Sequence, residues 1–150
     1  MTSRTKYALL TLFLCVCIAT TVYAVTLFTL AIPSKMRLKV GHGLELHIND
    51  AGAVGDLVTE IDWGEFEDGE IKSGLYWLVN TGDVDEKVVW SAAVPSEWSL
   101  VIEDETATWN KGDTRTIAYN DKLYVRTIMQ ELTAEQGVNY TFDLLFNVVD

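Results

Sequence analysis

The chain has 150 residues, of which 49% are hydrophobic, and a formal net charge of −11. This composition excludes a disordered or collagen-like chain, and the length allows one ordinary domain with a short appendage. The acidic balance argues against binding to nucleic acid or to anionic membrane surfaces, since both need clustered Lys and Arg. Both cysteines, Cys15 and Cys17, lie in an apolar N-terminal run. A domain after that run has no disulfide and depends on packing.

The apolar run covers residues 7–32, carries no charged residue and follows Arg4 and Lys6. Two interpretations of it stay open. About 20 apolar residues suffice for a transmembrane helix, so residues 7–32 fit a retained membrane anchor. Residues 1–24 also fit a secretory signal peptide, with a basic start, an apolar middle and small Ala24 at the cleavage position. Both interpretations predict export, either by secretion or as a membrane protein at the cell surface.

If cleavage follows Ala24, residues 25–35 form an apolar strand and linker ahead of the domain. This stretch is rich in β-branched and aromatic residues, which favour strands. Pairing with the sheet edge of a neighbouring copy would satisfy its backbone and build a head-to-tail filament. The competing interpretation makes the same stretch part of an anchor or the first strand of its own sandwich. The candidate donor residues are Val25, Leu27, Phe28, Leu30 and Ile32.

Residues 36–150 have the pattern of a β-sandwich. Apolar residues alternate from Met36 to Ile48, which predicts a half-buried strand, and Gly41 and Gly43 predict a bulge or bend within it. Residues 75–80 are apolar at odd and at even positions alike, which predicts a central strand with both faces covered. The closing strand is predicted to point inward with Phe142, Leu144, Phe146 and Val148.

Shorter elements complete the predicted domain. Further strands are predicted at residues 57–63, 87–94, 98–102, 114–119 and 123–129. The predicted connections are a turn-rich loop at 49–56, an acidic turn at 64–73, a polar loop at 103–113 and a helical turn at 133–137. Many short strands separated by regular turns predict an all-β, antiparallel sandwich.

Several turn and core residues together resemble a known group of proteins. They are Ile32-Pro33-Ser34, Gly41 and Gly43, Ile61-Asp62-Trp63-Gly64, Gly69, and Asn80-Thr81-Gly82. This pattern resembles archaeal secreted or membrane-anchored immunoglobulin-like β-sandwich proteins. More distantly the chain is similar to the TasA and camelysin family and to archaeal bundling pilins, whose subunits join by donating an N-terminal strand.

The resemblance implies an immunoglobulin-like sandwich preceded by a hydrophobic helix, and a structural, pilin-like role at the cell surface. The implied partners are further copies of the chain or another cell-surface protein. The chain departs from the pattern at Asp68, where a proline often precedes Gly69, and at Asn110-Lys111-Gly112, which also lacks a proline. A protease activity is not carried over from the camelysin name, because no His-Glu-x-x-His is present.

The residues themselves predict no enzyme. His42 and His47 have opposite parity on one predicted strand, so they point to opposite faces and cannot share a metal. No cysteine remains after the apolar run to act as a nucleophile, and no Gly-x-Ser-x-Gly surrounds a serine. The alternative to a structural role is a single-pass anchored ectodomain that binds a sugar, a cation or a surface protein.

Three features leave binding functions open. Acidic clusters at residues 65–70, 83–86 and 103–105 offer oxygen ligands for calcium, and Asp83 and Asp85 are the first candidates. The five tryptophans suit either a sugar-binding platform or a core. Asn139-Tyr140-Thr141 matches the N-glycosylation pattern, with Asn139 as the acceptor. Within Asp62-Trp63-Gly64 and Asn80-Thr81-Gly82, we expect Trp63 in the core, the glycines in turns, and Asp62 and Asn80 as caps.

Overall fold

The computed structural model describes residues 32–41, 43–135 and 137–149. The predicted signal peptide or transmembrane helix, and the candidate donor residues Val25, Leu27, Phe28 and Leu30, lie outside the described residues. Ile32 is the first residue of the first strand.

The described chain is all-β and forms two five-stranded sheets. The first sheet has the order β4-β1-β10-β6-β8, and the second has the order β3-β2-β5-β9-β7. The strands are β1 (Ile32–Val40), β2 (Leu44–Asp50), β3 (Ala53–Leu57), β4 (Glu60–Phe66), β5 (Ile71–Asn80), β6 (Glu86–Ala92), β7 (Trp98–Glu103), β8 (Arg115–Ile117), β9 (Lys122–Glu131) and β10 (Tyr140–Val149).

One hydrophobic core lies between the sheets. Met36 and Phe146 from the first sheet join Leu46, Leu78 and Met129 from the second in a single cluster, and all five are fully buried. Each such side chain contributes roughly 1.5–3 kcal/mol when it leaves water. The domain therefore has a β-sandwich-like fold around a single apolar core.

The alternating stretch from Met36 to Ile48 forms two strands in different sheets. Its parity is as predicted, because Met36, Leu44 and Leu46 are buried while Ile48 is 45% exposed at the strand end. The predicted bend is the crossing between the sheets. Gly43 has a φ of 81°, and its carbonyl accepts hydrogen bonds from the main chain of the Asn80-Thr81-Gly82 turn.

The prediction of a wholly antiparallel sandwich is wrong for one pair. β1 and β10 run parallel, from Ser34 opposite Tyr140 to Val40 opposite Phe146. Parallel strands need a long connection, and here nearly the whole domain lies between the first and the last strand. Every other described pair is antiparallel.

Several predicted boundaries also shift. β1 begins at Ile32, inside the predicted linker, and Pro33 is tolerated there because pairing with β10 starts only at Ser34. The predicted loop at 49–56 contains the hairpin strand β3, and β4 runs on to Phe66. No helix occurs among the described residues of the predicted helical turn at 133–137.

The central and closing strands agree largely with the sequence. β10 buries Phe142, Leu144 and Phe146 as predicted. β5 is the middle strand of its sheet, but its outer face is not covered by another layer, since Leu75 is 44% exposed. Trp77 on that outer face is shielded by neighbouring side chains and not by a second layer.

Candidate functional site

The Asp62-Trp63-Gly64 stretch is structural. Trp63 is 7% exposed and belongs to the core, as expected. Gly64 lies within β4 and not in a turn: its φ of 66° marks a bulge, where the pairing with β1 shifts between Ser34 and Lys35. The Asp62 carboxylate accepts a hydrogen bond from the Gly64 main-chain N–H at 2.8 Å, so it caps the bulge.

Asn80 is a buried cap. It is 1% exposed, and its Oδ1 accepts from the Gly82 N–H at 2.9 Å. Its amide donates to the carbonyls of Val84 at 2.7 Å and Ile117 at 3.0 Å. The prediction of a turn cap is therefore confirmed, and Asn80 has no free polar atom to offer a ligand.

The predicted calcium ligands do not converge. Asp85 accepts a hydrogen bond from the Tyr119 N–H at 2.8 Å, and Asp83 is exposed in the same loop. Among residues 32–41, 43–135 and 137–149, no group of three His, Cys, Asp or Glu side chains could hold a metal ion. His42 lies outside the described residues.

The tryptophans do not form a sugar-binding surface. All five are at most 9% exposed, so no indole face is presented to a ligand. Four belong to the core cluster between the sheets. The fifth, Trp77, has Tyr124 edge-on to its ring at 5.8 Å and the Lys122 ammonium 4.0 Å from its centroid. The core interpretation therefore holds for Trp63, Trp90, Trp98 and Trp109.

Asn139 stands at an accessible position. It is exposed in the loop just before β10, and Lys35, Tyr140 and Thr141 line a small hollow of about 210 Å³ beside it. Glycosylation at Asn139 stays a prediction.

Lysine side chains cover parts of the exposed sheet edges. The Lys72 ammonium donates to the main-chain carbonyls of Trp63 and Glu65 on β4, and lies 4.6 Å from the centre of the Phe66 ring. Lys111 donates to the carbonyl of Ala92 on β6 at 3.1 Å. Charged side chains on edges are a common way to prevent unwanted strand pairing.

One stretch of the β4 edge has no such cover from the described residues. The Leu38 N–H donates to the Thr59 carbonyl at 3.2 Å, and residues of antiparallel strands alternate between facing the partner and facing away. The register then turns the main chain of Glu60 and Asp62 away from β1. Among the described strands β4 is the terminal one of its sheet, so none of them pairs with these groups.

A groove of about 550 Å³ runs beside this open edge. We call it the edge groove. It lies between the end of the β2–β3 hairpin, the start of β4 and the middle of β5. Its lining residues are Ile48, Asn49, Leu57, Val58, Thr59, Glu60, Ile61, Asp62, Leu75 and Tyr76.

One aliphatic side chain in the edge groove is accessible. Ile48 is 45% exposed although it lies on the face of β2 that points towards the first sheet, with Leu46. Leu57 and Leu75 also border the groove, but their side chains lie on the outer face of the second sheet with Trp77. An exposed apolar residue beside an open strand edge is a feature of surfaces that accept an added strand. The sequence analysis missed this site because Ile48 shares the parity of the buried residues in its strand.

Side chains of neighbouring strands hold the β3 wall of the groove. The Trp77 indole donates to the Ala53 carbonyl at 3.1 Å, and the Lys122 ammonium donates to the Gly52 carbonyl at 3.3 Å. His47 bridges Gly55 and Glu45: Nδ1 lies 2.9 Å from the Gly55 carbonyl and Nε2 lies 3.0 Å from the Glu45 carboxylate. Since both partners are acceptors, the protonated imidazole satisfies both contacts.

The contacts of His47 predict a pH-dependent hairpin. Burial lowers the pKa of His47, but the hydrogen bonds to Glu45 and Gly55, together with the charges of Glu45 and Asp56, outweigh it and raise the pKa above 6.5. A raised pKa stabilises the fold fully below the unfolded value, and this stabilisation is lost as the pH rises through the folded pKa. We expect the urea midpoint of the wild type to fall, relative to that of His47→Gln, between about pH 6 and pH 8. Parallel midpoints over that range would contradict the role of His47.

No helix in the part of the chain that the structure describes could span a membrane.

Comparison with known proteins gives no family for the chain. No protein-family model matches the sequence, and no curated protein matches it significantly. The edge groove is therefore the candidate site that geometry alone supports.

Proposed function

We propose that the protein is an exported, non-enzymatic structural protein of the cell surface with an immunoglobulin-like fold. Its copies assemble into filaments when residues 25–31 of one copy are donated as a strand to the next. The observation that carries this proposal is the position of β1. It begins at Ile32, the last residue of the apolar run, and lies inside the first sheet between β4 and β10.

The apolar run is joined directly to β1, which is a strand in the interior of the first sheet. β1 pairs with β4 on one side and β10 on the other, so the chain enters the domain through a strand held at both edges. A donor strand attached to a rigid element loses less conformational freedom on binding than one attached to a loose linker. This arrangement favours directional assembly, in which each copy presents its donor in the same orientation.

The composition of the apolar run supports the same proposal. Residues 7–32 carry no charged side chain, so an extended segment of them needs a lipid bilayer or an apolar protein surface as its partner. Strand donation supplies the second kind of partner.

The test is deletion of residues 25–31 from the full chain, followed by electron microscopy of the exported protein. We expect the wild type to form filaments and the deletion to remain monomeric. A length-matched variant with Leu27→Asn, Phe28→Asn and Leu30→Asn should behave like the deletion, because it keeps the spacing and removes the apolar side chains. Filaments formed by the deletion would overturn strand donation.

Sequencing of the mature N-terminus separates this proposal from the alternative of an anchored ectodomain. Strand donation requires a chain that begins near Val25. A protein recovered from membranes with residues 1–32 intact would have its apolar run in the bilayer, and it would have no free donor.

A further inference from the structure

We infer that the edge groove of a second copy is the acceptor for the donated strand. This inference rests on the proposed strand donation and adds its place on the domain: residues 25–31 pair with the open stretch of β4 at Glu60–Asp62 and cover Ile48. Three features of the structure lead to this site.

The first feature is the free main chain. The register of β4 directs the N–H and C=O groups of Glu60 and Asp62 to the outside of the first sheet. An incoming extended segment can pair with these groups as an additional strand. The neighbouring carbonyls of Trp63 and Glu65 are engaged by Lys72, so the cover of the edge begins where the proposed acceptor ends.

The second feature is the match between groove and donor. The donor stretch Val25-Thr26-Leu27-Phe28-Thr29-Leu30-Ala31 has no charged residue. In the groove of about 550 Å³, Ile48 points towards the first sheet and lies directly beside the open edge. A strand added to β4 would extend the first sheet over Ile48, bury its side chain and satisfy both main chains at once.

The third feature is direction, which favours a second copy over the same chain. β1 runs antiparallel to β4, with Ile32 opposite Phe66 and Arg37 opposite Glu60. The chain therefore enters β1 at the end of β4 that is distant from the groove. A segment that folded back onto its own groove would need a reversal and a sideways step over β4 of about 10 Å, two strand spacings. Residues 25–31 are too few to make that step and still pair along the edge.

The other sheet edges are less suited to accept a strand. β8 has three residues, and β7 is lined by its own following loop, in which Trp109 N–H donates to the Ile102 carbonyl at 2.8 Å. On β6, Lys111 engages the carbonyl of Ala92. No described strand pairs with the outer side of β3, but β3 has only five residues, and the side chain of its Leu57 lies on the outer face of the second sheet.

The test compares two single lysine variants of the full chain. Ile48→Lys places a charge in the edge groove. The control, Ile71→Lys, places the same charge in another strand of the same sheet, β5, at a position that is 59% exposed and does not line the groove. We expect the groove variant to raise the concentration needed for filament formation by about tenfold or more, and the control to assemble like the wild type.

Mixing the variants separates failure of the acceptor site from failure of strand donation. The groove variant keeps its donor, and the deletion of residues 25–31 keeps its groove, so together they should form a one-to-one dimer that neither forms alone. If the groove variant forms filaments normally while the deletion does not, strand donation stands and this acceptor site is wrong. If both form filaments, strand donation itself is wrong. An equal loss of assembly in the control would also overturn the site.

Discussion

Replacement of Trp109 by alanine is expected to lower the free energy of unfolding by about 3–5 kcal/mol, as for other buried large aromatic residues. Trp109 is fully buried although it lies in the loop between β7 and β8. Its ring packs 5.8 Å from that of Phe146, and its Nε1–H donates to the Asp113 carbonyl at 2.7 Å. Its own carbonyl accepts from the buried Trp90 indole at 2.6 Å.

Urea unfolding followed by circular dichroism measures this loss. Tyr119→Ala is the matched control, because Tyr119 is an aromatic residue in the next loop but is 60% exposed, so we expect a change within about 0.5 kcal/mol. A Trp109→Ala variant that unfolds at the wild-type midpoint would show that Trp109 does not anchor the loop to the core.

Trp109 also illustrates what sequence patterns reveal and what they miss. Period-two alternation identified β10 and the β1–β2 stretch, because each strand there has one face on the core. Trp109 has no such pattern around it. It is surrounded by polar residues, and only tertiary packing against Phe146 shows that its loop is folded over the end of the core.

The candidate site was even less accessible to sequence reasoning. An open edge depends on which strands are neighbours, and the parallel pairing of β1 with β10 leaves β4 at the end of the sheet. Ile48 continues the alternation of its strand, and alternation does not show where the facing sheet ends. The candidate donor segment is apparent from the sequence because an uncharged run beside a charged domain stands out by composition alone.

Asp104 belongs to the acidic cluster at 103–105 that the sequence offered as a source of calcium ligands, and its side chain is buried. Its side chain is 4% exposed, in contrast to the exposed neighbouring Glu105. It accepts hydrogen bonds from the Thr106 N–H at 2.7 Å, the Thr106 hydroxyl at 2.6 Å and the Ala107 N–H at 2.9 Å. Arg115 Nε donates to its other oxygen at 2.5 Å. Asp followed two residues later by Thr is a local capping pattern, and that signal was present in the sequence.

The second large effect is therefore expected from Asp104→Ala, at about 3 kcal/mol of lost stability, because it leaves Arg115 and two main-chain N–H groups without their acceptor. Asp104→Asn should lose less, since its amide oxygen can still accept from Thr106 and Ala107. Urea midpoints of the two variants measure this order, and equal losses would contradict the role of the carboxylate in capping the loop.

Acid titration gives Asp104 a signature that a purely steric role would not produce. Burial alone would raise the pKa of Asp104, but hydrogen bonds from Thr106 and Arg115 outweigh it and hold the pKa well below the ordinary 3.8. A depressed pKa stabilises the fold above the unfolded value, and this stabilisation is lost as the pH falls from 3.8 towards the folded pKa. Asp104→Asn cannot lose a charge, so its stability relative to the wild type should improve over that acidic range. A constant difference between the two proteins would mean that the charge of Asp104 contributes nothing, and that its hydrogen-bonded shape alone secures the loop over Trp109.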